Sequence, residues 1–247
     1  MSLDWARQLA RANATRVRQQ GGTTDKARLK HLRLVLTLVP AQLHGDQALW
    51  MELGVREGHS INFMAELYPT QHWHGFDSFV GMPDSARSTT STWRKGKLTL
   101  RTKKLDANGM PHVRANVNLH KGWFNATIPP VLERALSGGA RPWVAFMHLD
   151  ADIYESTFLA LMDVCTRDLL RVGTILAFDE LFSTSNLKQT LEHEWRALND
   201  AAARCGFAFK FVTWMRHYSS PYVRVAVSIT SVRTSSSRGG QRRLATR

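Results

Sequence analysis

The sequence predicts an α/β fold: a doubly wound, mostly parallel sheet of seven strands, covered by helices on both faces and closed by an antiparallel last strand. Three observations predict it. Short apolar runs rich in strand formers alternate with longer runs of helical periodicity. The last two apolar runs are joined by turn-forming residues alone, which suits a hairpin rather than a crossover. Glycines and acids stand at the ends of several apolar runs, where open α/β sheets hold their ligands.

Taken in order, residues 3–18 scatter Leu3, Leu9 and Val17 among Arg and Gln, the pattern of a frayed surface helix that Gly21 and Gly22 break. From Lys26 to Val39 the apolar residues Leu29, Leu32, Leu36 and Val39 recur at spacings of three and four, so an amphipathic helix is expected, ended by Pro40. Strands are expected at 48–55, 73–79, 115–120, 143–149 and 173–178, with helices at 60–67, 128–136, 157–170 and 187–204. Runs 207–214 and 222–229, linked through His217 to Pro221, make the closing hairpin. From Ser231 the chain is Ser, Gly and Arg and is expected to be disordered. The reading therefore divides the chain into a basic extension (1–30), one folded domain (31–230) and a basic tail (231–247). The connection 80–112 is long for a compact domain and carries seven Arg or Lys against Asp84 and Asp106, with Trp93 in its middle; such loops tend to be lids.

With 247 residues and 43% hydrophobic content the chain can bury one sizeable core. No apolar run approaches the roughly 18 to 20 residues of a bilayer span, and a signal peptide is not visible, so a soluble, cytoplasmic protein without a membrane partner is expected. Cys165 and Cys205 lack zinc spacing and are expected to be ordinary buried thiols. Of the net charge of +13, the first 30 and last 17 residues carry +5 each. Basic ends around a nearly balanced domain read as solvated tails rather than as a nucleic-acid face.

Chemistry concentrates at the predicted strand ends. The first strand runs into ELGVREGHSINF, where Gly54 and Gly58 can form the ligand-approaching turn and Ser60 can cap the next helix. The second ends at Asp77, whose carboxylate, some 25 residues beyond the first glycine turn, can accept from both hydroxyls of a ribose. Without a pyrophosphate cradle, and with Glu52 placed to suit an amine, the cofactor expected is S-adenosylmethionine rather than a dinucleotide. The fourth strand ends MHLDADIYEST and the fifth AFDEL. In an extended chain Asp150 and Asp152 would point the same way, and Asp179 and Glu180 lie on a neighbouring edge. Four acids brought together repel one another unless a cation neutralises them, and oxygen-only ligation favours magnesium or another hard divalent ion over zinc.

The strings ELGVREGHSINF, GFDSFVGMP, NVNLHKGWFNATIPP, FMHLDADIYEST and ILAFDELFS, in this order over about residues 50–182, resemble the macrocin O-methyltransferase family of natural-product and sugar methyltransferases. The resemblance implies a class I, Rossmann-like methyltransferase fold, bound magnesium and methylation of a sugar or related hydroxyl. It implies Asp150, Asp179 and Glu180 as metal ligands and Asp152 as general base, with His148 either an alternative base or a supporting histidine. It further implies Glu52, Gly54, Ser60, Asp77 and Ser78 as cofactor-binding positions, with Gly122 and Trp123 near the adenine. Glu180 stands where the family usually has a second Asp, and Glu57 where it often has Gly. The expected partner is a small-molecule hydroxyl substrate. Two other readings use the same residues: a nucleic-acid methyltransferase gripping phosphate through the basic ends, against which the acid edge would work, and a non-catalytic S-adenosylmethionine-binding module. A homo-oligomer is compatible with everything above.

Overall fold

Leu49, Met51 and Leu53 alternate with Ala48 and Trp50 along the first core strand, and every one of them is buried, so this strand needs cover on both faces. The computed structural model describes residues 14–16, 24–83, 99–100, 105–183, 192–216 and 221–233. Its strands are β1 (Thr15–Arg16), β2 (Ala48–Leu53), β3 (Trp73–Asp77), β4 (Val117–Lys121), β5 (Trp143–Leu149), β6 (Ile175–Ser183), β7 (Phe207–Arg216) and β8 (Tyr222–Val232). They form one sheet in the order β1-β7-β8-β6-β5-β2-β3-β4. Pairings from β6 through β4 are parallel, while β8 runs antiparallel to both β6 and β7.

Helices α1 (Thr24–Leu36) and α2 (His59–Leu67) cover one face; α3 (Phe124–Ser137), α4 (Tyr154–Thr166) and α5 (Glu194–Cys205) cover the other. Under the first pair lie Leu32, Leu36, Ile61 and Met64 against Trp50, Trp73 and Phe146. Beneath the second set, Ile128, Leu132, Leu161 and Leu198 meet Met51, Phe76, Met147 and Phe178. Removing one such side chain leaves a cavity that costs about 2 to 5 kcal/mol.

The alternation of strand and helix is as expected, and so is the closing hairpin; the strand count is eight rather than seven. The additional strand comes from Thr15 and Arg16, which pair with Thr213 and Trp214 instead of belonging to a frayed helix. The rest of that expected helix, Trp93 with most of the long connection, and the tail beyond Arg233 lie outside the described residues. Helix α1 runs across residue 30, so Ala27 and Arg28 of the basic N-terminal stretch are built into the domain.

The cysteines also differ from expectation: Cys165 and Cys205 form a disulfide, their Cα atoms 6.1 Å apart. The cause is packing. Helices α4 and α5 lie side by side on one face of the sheet, which brings together residues 40 apart in the chain.

In sequence order the strands grow outward from β2 toward β4, then return to begin again at β5. Strands β2 and β5 are neighbours whose connections leave in opposite directions, and such a switch point opens a crevice at the carboxyl ends of the strands. The functional residues converge there.

Candidate active site

A cavity of about 810 Å³ opens at this crevice. Its wall includes Gly54, Ser60, Asp77, Ser78, Gly122, Trp123, Asp150, Asp152, Asp179 and Glu180. All ten stand among the residues singled out from sequence. Its size lies within the ordinary range for small-molecule sites.

On the β2–β3 side the backbone is shaped for close approach. Gly54 has φ +88°, and a Cβ there would lie 2.0 Å from the Asp150 carbonyl oxygen, so only glycine lets β2 end against the turn after β5. Gly58, at φ 78°, is the N-cap of α2, a place the sequence suggested for Ser60. Ser60 sits inside the first helical turn, 3% exposed, because the helix begins one residue earlier at His59. Asp77 terminates β3. Its Oδ2 accepts the Arg56 N–H at 2.7 Å and its Oδ1 accepts the Phe79 N–H at 2.7 Å. Each carboxylate oxygen keeps a further lone pair for a ligand hydroxyl. Burial pushes the Asp77 carboxyl upward, against the pull of these backbone donors. Ser78 is engaged with its own loop, donating to the Gly81 carbonyl at 3.0 Å. The Gly122 N–H donates to the Asp77 carbonyl at 2.9 Å, and Trp123, at the start of α3, leaves 44% of its surface open.

Asp150 and Asp152 reach the same cavity, but not along an extended strand. Strand β5 ends at Leu149; the Ile153 N–H then donates to the Ala151 carbonyl at 2.7 Å, closing a γ-turn around Asp152, whose φ is 62°. Such a turn is strained in a non-glycine residue and persists only where its surroundings enforce it. It folds the chain back so that both carboxylates line one wall.

Behind the wall lies a charged row that follows from strand parity. Glu52 on β2, His148 on β5, Asp179 on β6 and Arg224 on β8 sit on the face covered by α1, on four adjacent strands. His148 Nδ1 is 2.8 Å from Glu52 Oε1, and its Nε2 is 3.9 Å from Asp179 Oδ1. Arg224 donates to Asp179 twice, from Nε at 2.7 Å and Nη2 at 3.1 Å. From α1, Arg28 donates to Asp150 Oδ2 at 2.7 Å and comes within 3.9 Å of Asp179. Burial alone would lower the His148 pKa, but the carboxylates of Asp179 and Glu52 beside it raise it to about 9. His148 itself is 1% exposed, with its Nδ1 taken up by Glu52, and it lies behind the residues that line the cavity. Asp179 is held well below the usual carboxylate range: burial pushes its pKa up, but Arg224, His148 and Arg28 outweigh it.

These contacts alter two expectations. Glu52 is fully buried and taken up by His148 instead of lining the cavity. The divalent ion expected at Asp150, Asp179 and Glu180 does not fit the donor set. Both oxygens of Asp179 face Arg224, and Asp150 Oδ2 is bound by Arg28. Among the described residues no three His, Cys, Asp or Glu side chains are grouped to hold a metal ion. Two guanidinium groups answer part of the repulsion among the acids, at Asp179 and Asp150.

Three charged residues around the acid cluster escaped the sequence reading: Arg28, Arg224 and Glu194. Arg224 carried a signal, since an Arg inside the apolar run YVRVAVSI has to find a buried partner. Glu194, at the start of α5, is 1% exposed and accepts from the Glu180 N–H at 3.3 Å. Burial and the neighbouring carboxylates Asp152, Asp150 and Asp179 push both Glu180 and Glu194 well above the normal range. They are acids held toward their neutral form.

The model of the Macrocin-O-methyltransferase (TylF) family matches residues 7–204. Among curated proteins no sequence relative matches the chain. Solved structures with a similar arrangement include human N-acetylserotonin methyltransferase in complex with SAM, at 12% identity and a TM-score of 0.39, covering 83% of this chain and 56% of that one. This chain thus spans little more than half of that protein's length. Human methyltransferase-like protein 13 in complex with SAH has 11% identity and a TM-score of 0.44, with 87% and 88% covered. A putative rRNA-methylase from Clostridium thermocellum has 14% identity and a TM-score of 0.44, with 87% and 100% covered.

Proposed function

Because the chain belongs to the macrocin O-methyltransferase family, we propose that it transfers a methyl group from S-adenosylmethionine to a hydroxyl of a small molecule, a sugar or a glycosylated natural product. The observation that supports this reading is the cavity, whose lining includes both Asp77, at the end of β3, and the turn-borne acid Asp152. Bound S-adenosylmethionine would supply an electrophilic methyl carbon on a positively charged sulfur.

The residues divide the work by position. Asp77 accepts from the ribose hydroxyls, and the half-exposed Trp123 ring offers a stacking face for the adenine beside Gly122. Gly54, Ser60 and Ser78 line the same end of the cavity. Asp152 receives the acceptor's proton as its oxygen attacks, since a neutral alcohol is a poor nucleophile and a positioned carboxylate assists by roughly 100-fold or more. The γ-turn holds that carboxylate in place in advance, which favours an in-line approach. Glu180 and Glu194, held toward their neutral form, add little negative charge at the spot where the acceptor oxygen gains it.

Calorimetry of the full chain with S-adenosylmethionine, followed by release of labelled methyl onto a panel of glycosides and phenols, tests the reading. Saturable binding with transfer to at least one hydroxyl is expected. Binding without transfer would favour a non-catalytic module. Transfer to RNA or DNA with steep salt dependence would favour the nucleic-acid reading.

A further inference from the structure

We infer that Arg224, seated on Asp179, takes the place of a divalent cation in this active site, and that the chain methylates its acceptor without a bound metal. The inference rests on the methyl-transfer reading and names the group that stabilises the acceptor oxygen.

The argument begins with what Arg224 can donate. A guanidinium carries five N–H donors in a fixed planar fork. Two of its nitrogens, Nε and Nη2, are committed to Asp179. The third, Nη1, is buried and has no hydrogen-bond partner among the described residues. Arg224 is only 6% exposed, yet it belongs to the wall of the cavity together with Asp150, Asp152 and Glu180. A buried donor without an acceptor costs about 1 to 3 kcal/mol, so the guanidinium is held at the cavity wall with donor capacity that the described residues do not use.

Charge leads to the same place. The acid edge would require a cation if it stood alone. Asp179 has Arg224 and Asp150 has Arg28, so two of the carboxylates expected to hold the ion each already face a guanidinium. A divalent ion would have to displace both guanidinium groups from 2.7 Å contacts and leave them buried beside two added positive charges.

In the reaction the acceptor oxygen forms a bond to the methyl carbon as the carbon–sulfur bond breaks, and the sulfonium becomes a neutral thioether. The acceptor O–H bond breaks, and its proton goes to the Asp152 carboxylate. Negative charge builds on the oxygen between these events, and the Arg224 guanidinium on the cavity wall stabilises it as an oxyanion-hole donor does. Asp179 is the positioning residue: its bidentate grip fixes the plane of the guanidinium at the cavity wall.

The test uses the full chain, stripped with EDTA. Titration with Mn²⁺, followed by electron paramagnetic resonance, should show no site that Asp150→Asn removes, and turnover with EDTA present should stay within twofold of that with added Mg²⁺. Arg224→Ala should lose roughly 100-fold or more in kcat while the Kd for S-adenosylmethionine stays within about threefold. Added guanidinium should restore part of the lost rate, which a purely structural role would not allow. A Mn²⁺ site in the wild-type chain that Asp150→Asn abolishes, or turnover that EDTA stops and Mg²⁺ restores, would overturn the inference. The Mn²⁺ titration needs no acceptor and does not use the Arg224→Ala variant. It therefore decides the metal question even if the methyl-transfer reading fails or Arg224→Ala does not fold.

Discussion

Arg224 grips Asp179 through two nitrogens, at 2.7 and 3.1 Å, and the pair is buried between the sheet and the helix that covers it. A buried ion pair is weak evidence for net stability, because desolvation offsets much of the attraction. Breaking one half is another matter, since it strands a charge. Arg224→Ala should therefore lower the unfolding free energy by about 3 to 5 kcal/mol, and adding Asp179→Asn should recover a substantial part of that loss. Urea denaturation of the two single variants and the double variant measures the coupling. Strictly additive losses would mean that the contact carries no specific energy.

Asp152→Asn keeps the size and shape of the side chain but removes the proton acceptor. Turnover should fall by roughly 100-fold to 10,000-fold, with the affinity for S-adenosylmethionine nearly unchanged. Single-turnover kinetics beside calorimetry separates these effects. Full activity in the variant would remove the role assigned to Asp152.

Gly54→Ala adds one methyl group at a residue with φ +88°, 2.0 Å from the Asp150 carbonyl. Both the backbone region and the contact are unfavourable, so a loss of about 2 kcal/mol or more is expected. The clash also displaces the turn that carries Asp152, and kcat should fall together with stability. A variant with wild-type melting temperature and activity would contradict the packing described at the end of β2.

Stability should fall on both sides of neutrality, for reasons that involve different histidines. Burial lowers the His31 pKa to about 3 and, with its neighbours, that of His74 to about 4. Between those values and the unfolded value of about 6.5, the unfolded chain binds the extra protons, so stability declines as pH falls through this window. His148 behaves in the opposite way: its folded pKa of about 9 gives a contribution fully present below pH 6.5 and lost as pH rises toward 9. The shift corresponds to roughly 3 kcal/mol. Urea midpoints across this pH range should trace a dome, and His148→Gln should flatten its alkaline limb. An unchanged alkaline slope in that variant would rule out the charged imidazolium.

Much of the fold was legible because it rests on local pattern. The spacing of Leu29, Leu32 and Leu36 marks a helix face whichever helix it meets, and the buried alternation of β2 shows as an apolar run. Strand ends are legible for the same reason, and they place Gly54, Asp77, Asp150, Asp152, Asp179 and Glu180 at one edge from pattern alone. The errors are equally physical. A hydroxyl is a good cap, which points to Ser60, yet Gly58 adopts the left-handed conformation that starts the helix two residues earlier. Cys165 and Cys205 looked unrelated because nothing local joins residues 40 apart.

By itself, then, the sequence determined the alternation of strands and helices, the edge at which the acids gather and the resemblance that identified the family. Only the tertiary structure decided what neutralises those acids. Arg28 comes to Asp150 from 122 residues away and Arg224 to Asp179 from 45, and no periodicity or motif encodes either distance. Hydrophobic pattern acts over a few residues and can be read along the chain. The partner of a buried charge is chosen by which strands and helices end up side by side, and that choice exists only once the chain has folded.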